Sequence, residues 1–313
     1  MATTSAKGET GNVKTRTVMI TGASSGIGRA CALRMDRAGW KVFATVRKEA
    51  DAVRLERDAS PSLHTLMLDV TDPDQIAAAA RTVTEAVGEN GLHGLVNNAG
   101  IAVGGLVEYL DPAELRRVLE TNTIAPLSVT RSLMPSLRRA KGRIVMISSI
   151  AGFSSTPLLS PYSASKFALE ALTDGLRLEL SPWGIEVVSV QPGAIKTEIW
   201  QKAHSYVEEE LRKYPPEAFE KYGPLLEKIS ASLDKPRGVD ADEVARIVDM
   251  ILTVSRPKAR YLVGRDAVIR NLIERLPTSL RDRVILSRMP KYGTDAEALP
   301  SELQEAGHED LSQ

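Results

Sequence analysis

The stretch Thr17-Val-Met-Ile-Thr21-Gly22-Ala23-Ser24-Ser25-Gly26-Ile27-Gly28 decides the fold. Its first five residues form a short apolar run, which predicts a buried strand. The glycine cluster then leads into apolar residues at helical spacing, and Gly39 is placed to end that helix. A second apolar run, from Lys41 to Val46, predicts another strand. A strand–helix–strand unit of this kind implies two parallel strands.

The alternation continues through most of the chain. Apolar runs predict five further strands at 63–68, 92–96, 143–147, 185–190 and 260–263. Helical patterns lie between them, including 72–87, a long helix from Pro112, the segment after 147, and 239–253. We therefore predict an α/β protein, a three-layer doubly wound Rossmann fold with a roughly seven-stranded parallel sheet. A closed eight-stranded barrel is the competing fold, and the glycine-rich first turn argues against it.

The domain organisation expected is simple. Residues 1–15 and 291–313 are polar and predict flexible tails, and 16–290 predict a single domain. The charged, proline-interrupted segment 197–236 interrupts the alternation. It is either a substrate lid or a solvated surface excursion, and the sequence leaves both open.

Composition excludes several classes of protein. Lys+Arg and Asp+Glu both total 40, so the net charge of zero gives no reason to expect nucleic acid as a partner. No apolar run is long enough for a membrane span. The single cysteine, Cys31, excludes an internal disulfide and a cysteine-rich metal site. It predicts a reducing compartment, and we expect a cytoplasmic protein that needs no metal.

The glycine loop predicts a dinucleotide site. Gly22 permits a tight turn, Gly26 lets the backbone approach a ligand, and Gly28 allows close packing of helix on strand. The helix that follows presents free N–H groups and a positive dipole end, which suit a pyrophosphate. A glycine cluster alone is weak support, but its position between the first strand and the first helix strengthens it.

The end of the second strand favours NADP(H) over NAD(H). An acidic residue at that place would bind the ribose 2′-hydroxyl, but the chain reads Val46-Arg47-Lys48 with no acid before Glu49. Arg47 could pair with a 2′-phosphate, with help from Lys48. A solvated basic residue at a strand end is the plainer alternative.

Tyr162 and Lys166 stand four residues apart in Tyr162-Ser-Ala-Ser-Lys166, which places them on one face of a helix. A cation beside a phenol favours the phenolate, so such a tyrosine can exchange a proton with a carbonyl or alcohol oxygen. Taken alone, this spacing often arises by chance on a solvated helix.

Together these motifs resemble the short-chain dehydrogenase/reductase family. The loop from Thr21 to Gly28 matches its TGxxxGxG pattern rather than the TGxxGxxG of the extended branch. Asn97-Asn-Ala-Gly100 matches NNAG, the Tyr162/Lys166 pair matches YxxxK, and Ser149 precedes Tyr162 by thirteen positions. Asn122 follows NNAG, and Pro192-Gly193 with Thr197 matches PGxxxT. The resemblance runs from about Thr17 to Trp200.

The resemblance implies roles for these residues. Ser149 would hold the substrate oxygen, Tyr162 would be the general acid or base, and Lys166 would lower the Tyr pKa and bind the nicotinamide ribose. Asn122 would hold a water that links Lys166 to solvent. The nucleotide-binding set implied is Gly22, Ser24, Ser25, Gly26, Ile27, Gly28, Arg47, Asp69, Val70, Asn97, Ala99, Gly100, Tyr162, Lys166, Pro192, Gly193, Ile195 and Thr197.

The residues expected to face the substrate are mostly apolar and include no Arg or Lys. They are Val103, Leu106, Ile150, Phe153, Leu158, Leu159 and Trp200. This favours a small lipophilic alcohol, ketone or aldehyde. The stretches around Arg47 and Arg260 resemble, more loosely, the subgroup that acts on steroids and retinoids. His204 could meet a distal substrate oxygen, and a surface histidine is the plainer interpretation.

Two points stay open from the sequence. The family likeness implies a homodimer or homotetramer, by analogy only. A nucleotide-sensing or scaffold protein that kept the fold and lost turnover is the alternative function, and the intact Ser149, Tyr162 and Lys166 argue against it.

Overall fold

The computed structural model describes residues 15–196, 209, 211–233 and 238–290. The predicted tails lie outside these ranges, apart from residue 15. Of the insertion predicted at 197–236, residues 209 and 211–233 are described. Within the described ranges, no helix combines the length and the apolar character needed to cross a bilayer.

A seven-stranded sheet, with all paired strands parallel, is the centre of the fold. Its strands are β1 Thr17–Ile20, β2 Lys41–Val46, β3 Leu63–Met67, β4 Gly94–Asn97, β5 Arg143–Ile147, β6 Glu186–Pro192 and β9 Arg260–Val263. The short strands β7 Ile195–Lys196 and β8 Val239–Asp240 form a separate parallel pair. The order β3-β2-β1-β4-β5-β6-β9 is open at both edges, so the predicted doubly wound fold is confirmed and the barrel is excluded.

Helices cover both faces of the sheet. They are α1 Gly26–Arg37, α2 Glu49–Arg57, α3 Pro73–Val87, α4 Pro112–Leu119, α5 Ala125–Ala140, α6 Ser160–Leu180, α7 Pro216–Leu233, α8 Ala241–Thr253, α9 Arg265–Ile273 and α10 Thr278–Leu286. A π-helical turn, Glu120–Ile124, joins α4 to α5.

Strand alternation splits the core into two layers. Val18 and Ile20 of β1 pack toward α1 and α8, whereas Met19 packs toward α3, α5 and α6. Because neighbouring side chains in a strand point to opposite faces, a strand that is apolar throughout must be covered on both sides. The fully buried β1 therefore requires the three layers that are observed.

Some predicted boundaries move for tertiary reasons. The strand predicted from Leu92 begins at Gly94, because the Leu92 N–H donates to the Ser136 carbonyl instead of joining the sheet. Strand β6 extends to Pro192, because β9 pairs with its end. The helix predicted from Val239 begins at Ala241, since Val239 and Asp240 form β8.

From the sequence, Asp72 with Gln75 and Asp240 with Glu243 are predicted as capping boxes at two helix starts, and the two predictions have different outcomes. The Asp72 carboxylate accepts from the N–H groups of Asp74 and Gln75, and the Gln75 side chain donates to it. This cap of α3 is therefore confirmed. Asp240 makes no side-chain cap on α8, and its carboxylate lies 3.4 Å from the Lys196 ammonium. That second prediction is wrong, because β8 holds Asp240 in an extended ladder.

Candidate active site

The loop between β1 and α1 lies at the switch point of the sheet, where β1 has β2 on one side and β4 on the other. Ligands of open α/β sheets bind at this crevice. Gly22 and Gly26 both have positive φ angles, of 68° and 55°, which side chains disfavour. A Cβ on Gly22 would lie 2.8 Å from the Ala99 Cα. The loop after β1 and the loop after β4 therefore touch backbone to backbone.

Asn98 braces this contact, and sequence reasoning gave it no role. Its amide nitrogen donates to the carbonyls of Thr21 and Gly22 at 2.9 and 3.0 Å. The Thr21 hydroxyl in turn accepts from the N–H groups of Asn98 and Ala99. A Cβ on Gly28 would lie 2.2 Å from the Gly22 carbonyl oxygen and 2.4 Å from the Asn98 amide nitrogen. The only sequence feature that pointed to Asn98 was its place in the NNAG motif.

The first turn of α1 is suited to an anion. Its N-cap, Ser25, makes no side-chain cap, and the turn carries no acidic residue. The first N–H groups of a helix have no partner within the helix, and the dipole makes that end positive. The glycine geometry and this uncompensated helix end together fit the pyrophosphate of a dinucleotide. Ser24, Ser25 and Ile27 lie half-buried in the same turn.

Arg47 follows β2 at the same sheet edge and is exposed. Asp69, after β3, accepts from the N–H and hydroxyl of Thr71, and these bonds, together with the positive charge of Arg47, hold the pKa of Asp69 below its ordinary value. Val70 beside it is buried. The structure thus brings Arg47 and Asp69 near each other, as predicted for one end of a nucleotide site.

The side chain and the main chain of Asn97 lie in different surroundings. Its side chain is buried and donates to the Thr130 hydroxyl and the Met146 sulfur, at 2.9 and 3.4 Å. It therefore points into the core, because it belongs to the last position of β4. The main chain of Asn97, with Ala99 and Gly100, remains at the loop.

Tyr162 and Ser149 meet at the carboxyl edge of the sheet. Ser149 follows β5 and leads into a 3-10 turn at Ile150–Gly152, and Tyr162 lies in the first turn of α6. The two side chains lie side by side, and each residue is 8% exposed. Ser149 Oγ also accepts from the Ala151 N–H at 3.1 Å, which fixes its direction.

Lys166 is almost fully buried beside this pair. Its Nζ lies 5.8 Å from the centroid of the Tyr162 ring and donates to the Ile147 carbonyl at 2.9 Å. Burial lowers the pKa of Lys166 to about 8, and the negative charge of Glu170 opposes that fall. The expected i to i+4 neighbours therefore share one buried polar corner.

The pKa of Tyr162 differs from the expectation. Burial raises it to about 12, and the hydrogen bond with Ser149 opposes the rise. The predicted lowering by Lys166 is wrong for this structure, because the loss of hydration of a phenolate outweighs a partly neutralised cation 5.8 Å from the ring centroid.

Asn122 lies in the π-helical turn and is fully buried. Its amide nitrogen donates to the Ile101 carbonyl and the Ser165 hydroxyl, and its Oδ1 accepts from the Ile101 N–H. Both amide hydrogens are therefore used within the protein. A water held by Asn122, as the resemblance implies, would have to contact its main-chain carbonyl or the remaining lone pair of Oδ1. π turns inserted in helices are frequent at functional sites.

The turn after β6 closes the site from the other side. A Cβ on Gly193 would lie 2.2 Å from the Asp266 carboxylate, which accepts from the Ala194 N–H at 2.6 Å. Pro192 and Ile195 are buried, and Ile195 belongs to the α1/α8 core layer. Asp266, in the first turn of α9, thus holds this turn in place, and no sequence motif pointed to it. Thr197, Trp200 and His204 lie outside the described residues.

The predicted substrate-facing residues divide into two groups. Val103 is fully buried and packs with Val118, Ala151 and Tyr162. Leu106 and Leu158 are buried in a second cluster beneath residues from the insertion. Ile150, Phe153 and Leu159 are half-buried. Leu158 adopts a positive φ of 65°, which is strained for a leucine, and its carbonyl accepts from the Gly105 N–H.

The described part of the insertion packs its apolar side chains on this cluster. Its buried contributors are Tyr214, Ala218, Leu225 and Leu226, and sequence reasoning missed them. The Tyr214 hydroxyl accepts from the Leu106 N–H at 2.9 Å. The Tyr222 hydroxyl donates to Glu108 at 2.7 Å, and Lys221 lies 3.5 Å from the same carboxylate. For residues 211–228, the idea of a merely solvated excursion therefore does not hold.

Comparison with known proteins identifies the family of this chain. The sequence model of the short chain dehydrogenase family matches residues 16–207. The NADPH-dependent 3-dehydrocapnine reductase of Ornithobacterium rhinotracheale is 35% identical over 284 residues, which cover 88% of this chain and 98% of that protein. Retinol dehydrogenase 5 of Homo sapiens is 36% identical over 286 residues, which cover 88% of this chain and 89% of that protein.

A solved structure gives the same result. A short-chain dehydrogenase from Streptomyces avermitilis superimposes with a TM-score of 0.72 at 30% identity, covering 88% of this chain and 98% of that one. The likeness to the subgroup of retinol dehydrogenases is thereby confirmed along with the family. This chain, with its glycine loop, NNAG and Tyr162/Lys166 pair, belongs to the short-chain dehydrogenase/reductase family of oxidoreductases.

Proposed function

We propose that this protein interconverts a carbonyl and an alcohol on a lipophilic substrate, with NADP(H) favoured over NAD(H). The observation that carries the proposal is that Ser149, Tyr162 and Lys166 lie buried together at the carboxyl edge of the sheet. A bound nicotinamide dinucleotide supplies or accepts the hydride. The protein must then orient the substrate oxygen and move one proton to or from it.

The protonation states of the site suit carbonyl reduction. Because burial raises the pKa of Tyr162 to about 12, the phenol keeps its proton at neutral pH and can donate it to the oxygen that gains the hydride. Lys166, with a pKa near 8, is mostly protonated at pH 7 and stabilises the phenolate that forms. Ser149 is the group that holds the substrate oxygen in this proposal. Alcohol oxidation runs the same transfer backwards, with Tyr162 as base.

The nucleotide would lie along the loops at the switch point. The first turn of α1 takes the pyrophosphate, Arg47 takes a 2′-phosphate, and Asp69 with Val70 lies at the adenine end. The NADPH dependence named for the Ornithobacterium rhinotracheale relative supports this preference. The turn at Gly193–Ile195 lies on the nicotinamide side, and its rigid attachment to Asp266 keeps it in place.

The apolar cluster beneath α7 supports a lipophilic substrate. Leu106 and Leu158 from the core domain meet Leu225 and Leu226 from the insertion, with no basic side chain among them. We infer that the insertion is a substrate lid, and that the substrate is a retinoid- or steroid-like alcohol or ketone, or a hydrophobic aldehyde. The name of the human relative, a retinol dehydrogenase, supports that class.

The cellular setting is inferred in the same way. Cys31 is free, and burial raises its thiol pKa to about 12, so it is protected from oxidation. We infer a cytoplasmic protein that assembles as a homodimer or homotetramer, and both remain predictions.

The loop packing gives a first prediction. In Gly28→Ala the new methyl would collide with the Gly22 carbonyl and the Asn98 amide, so the loop must shift. We expect NADP⁺ binding to weaken about tenfold or more, since overpacking costs of order 1–3 kcal/mol. Gly175→Ala is the matched control, because its Cβ would have only the Glu179 side chain, at 3.9 Å, within reach. Unchanged binding by calorimetry in Gly28→Ala contradicts the placement of the nucleotide at this loop.

A second prediction concerns the choice between NADP⁺ and NAD⁺. Arg47→Ala is expected to weaken NADP⁺ binding about tenfold while NAD⁺ binding changes less than about twofold, because only NADP⁺ carries the 2′-phosphate. Arg37→Ala, an exposed arginine at the end of α1, should leave both affinities unchanged. Equal losses for the two nucleotides would rule out a 2′-phosphate contact.

A third prediction concerns the proposed proton donor, Tyr162. Tyr162→Phe removes the acidic hydroxyl, so kcat should fall about a hundredfold or more while NADP⁺ binding is retained. Tyr261→Phe, a tyrosine of β9 whose hydroxyl accepts from the Lys258 N–H, serves as control. Full turnover in Tyr162→Phe would favour the alternative of a nucleotide-sensing or scaffold protein.

A fourth prediction concerns the class of substrate. Purified protein with NADPH should reduce retinoid or steroid carbonyls or hydrophobic aldehydes, measured as loss of NADPH absorbance. It should ignore charged sugars and acyl-carrier thioesters, because the residues that pack together beneath α7 are apolar or aromatic, and Lys221 beside them is already paired with Glu108 and Glu217. Activity only on those charged substrates would contradict the lipophilic substrate class. It would not contradict the proposed oxidoreductase activity.

A further inference from the structure

Glu170 is a buried acid that the proposed chemistry does not yet use. It lies in α6 four residues after Lys166, so the two side chains share a helix face with Tyr162. Its side chain is 9% exposed. Carboxylates are seldom buried without partners, because removal from water is costly.

Glu170 has partners from two strands. The Ser189 hydroxyl of β6 donates to one carboxylate oxygen, and Arg260 of β9 lies 3.0 Å from the other. Arg260 also pairs with Asp174 at 2.6 Å, one turn further along α6. The carboxylate is therefore fixed in position between α6 and the sheet edge.

The same side chain supports the turn that carries Ser149. A Cβ on Gly152 would lie 2.9 Å from Glu170 Cγ, 3.2 Å from the Lys166 carbonyl and 2.8 Å from Ser148 Oγ. The 3-10 turn at Ile150–Gly152 thus rests directly on the methylene of Glu170. A displacement of Glu170 would reach Ser149 through this contact.

The groups that face Lys166 include one carboxylate. The Ile147 carbonyl at the end of β5 is the neutral group that accepts from its ammonium. The titratable groups beside it come from α6 and are Tyr162 and Glu170. Arg260 of β9 and the Ser189 hydroxyl of β6 contact Glu170 in turn. Arg260 pairs with Glu170 and so lies on the far side of the carboxylate. Glu170 is the acid whose charge acts on Lys166.

We propose that Glu170 is a positioning residue of this active site: its fixed carboxylate keeps Lys166 protonated, and its methylene supports the turn that carries Ser149. The inference rests on the proposed role of Lys166. Burial alone drives Lys166 toward the neutral amine, and a nearby anion reverses part of that effect. Arg260 sets the strength of this support, because its cation partly neutralises the carboxylate.

The test measures Lys166 directly, without nucleotide or substrate. The protein is labelled with [¹³Cε]lysine, the Lys166 signal is assigned by its loss in Lys166→Met, and its shift is followed against pH. In Glu170→Gln the pKa of Lys166 should fall from about 8 by half a unit or more, roughly the effect of one nearby charge. In Arg260→Met it should rise, because the carboxylate loses its neutralising partner. Two variants with opposite expected signs keep the test decisive if one of them folds poorly.

Glu179→Gln is the matched control, an exposed glutamate of the same helix, and it should leave Lys166 unchanged. Glu170→Asp retains the charge but deletes the Cγ methylene beside Gly152, so it should lower kcat with a smaller effect on the Lys166 titration. In the wild type, kcat/KM for reduction should decline above about pH 8, and in Glu170→Gln the decline should begin at lower pH. A Lys166 titration equal to the wild type in Glu170→Gln or in Arg260→Met overturns the inference.

This failure is distinguishable from failure of the proposed function. If turnover depends on Tyr162 but the Lys166 titration does not change in the variants, only the role of Glu170 is overturned. Full turnover in Tyr162→Phe overturns the proposed chemistry, whatever Lys166 does.

Discussion

The close backbone approach at the β1/β4 switch point is the constraint on which the rest of the site depends. Gly22 and Ala99 touch with no room for a side chain, and Asn98 bridges the two loops with hydrogen bonds to main-chain carbonyls. Since the strands are parallel, their carboxyl ends meet at one edge, and this contact fixes the crevice there. The first turn of α1, with no acidic residue or side-chain cap, then presents its N–H groups to that crevice.

Burial is the second organising effect, and it acts on a phenol and an ammonium in opposite directions. It raises the pKa of Tyr162 and lowers that of Lys166, so both neutral forms become easier to reach than in water. A protonated phenol beside an ammonium whose pKa lies near neutral pH can donate a proton to a carbonyl oxygen. The buried carboxylate of Glu170 then becomes important, because the charge of Lys166 is not guaranteed by the residue type alone.

The described part of the insertion is attached to the core domain by apolar packing, with polar contacts beside it. Its described part places Tyr214, Leu225 and Leu226 on Leu106 and Leu158, while Glu108, Lys221 and Tyr222 form an exposed polar cluster beside them. Apolar contacts hold the described part of the insertion against the core domain, and the polar contacts beside them fix its orientation. The strained backbone of Leu158 lies at this junction, where the loop before α6 meets the insertion.

The sequence by itself determined the parallel strands of the sheet and the candidate catalytic residues, because apolar periodicity and motif spacing are local properties of the chain. It located Tyr162, Lys166 and Ser149, and it identified the Asp72 cap from residue types alone. It could not assign Asn98, Asp266, Glu170 or Tyr214, and it gave no direction for the Asn97 side chain. Those assignments rest on contacts between residues far apart in the chain, such as Glu170 with Arg260 and Asn98 with Thr21. The direction of the Tyr162 pKa was likewise decided by the tertiary structure, because burial depends on the packing of several elements around one side chain.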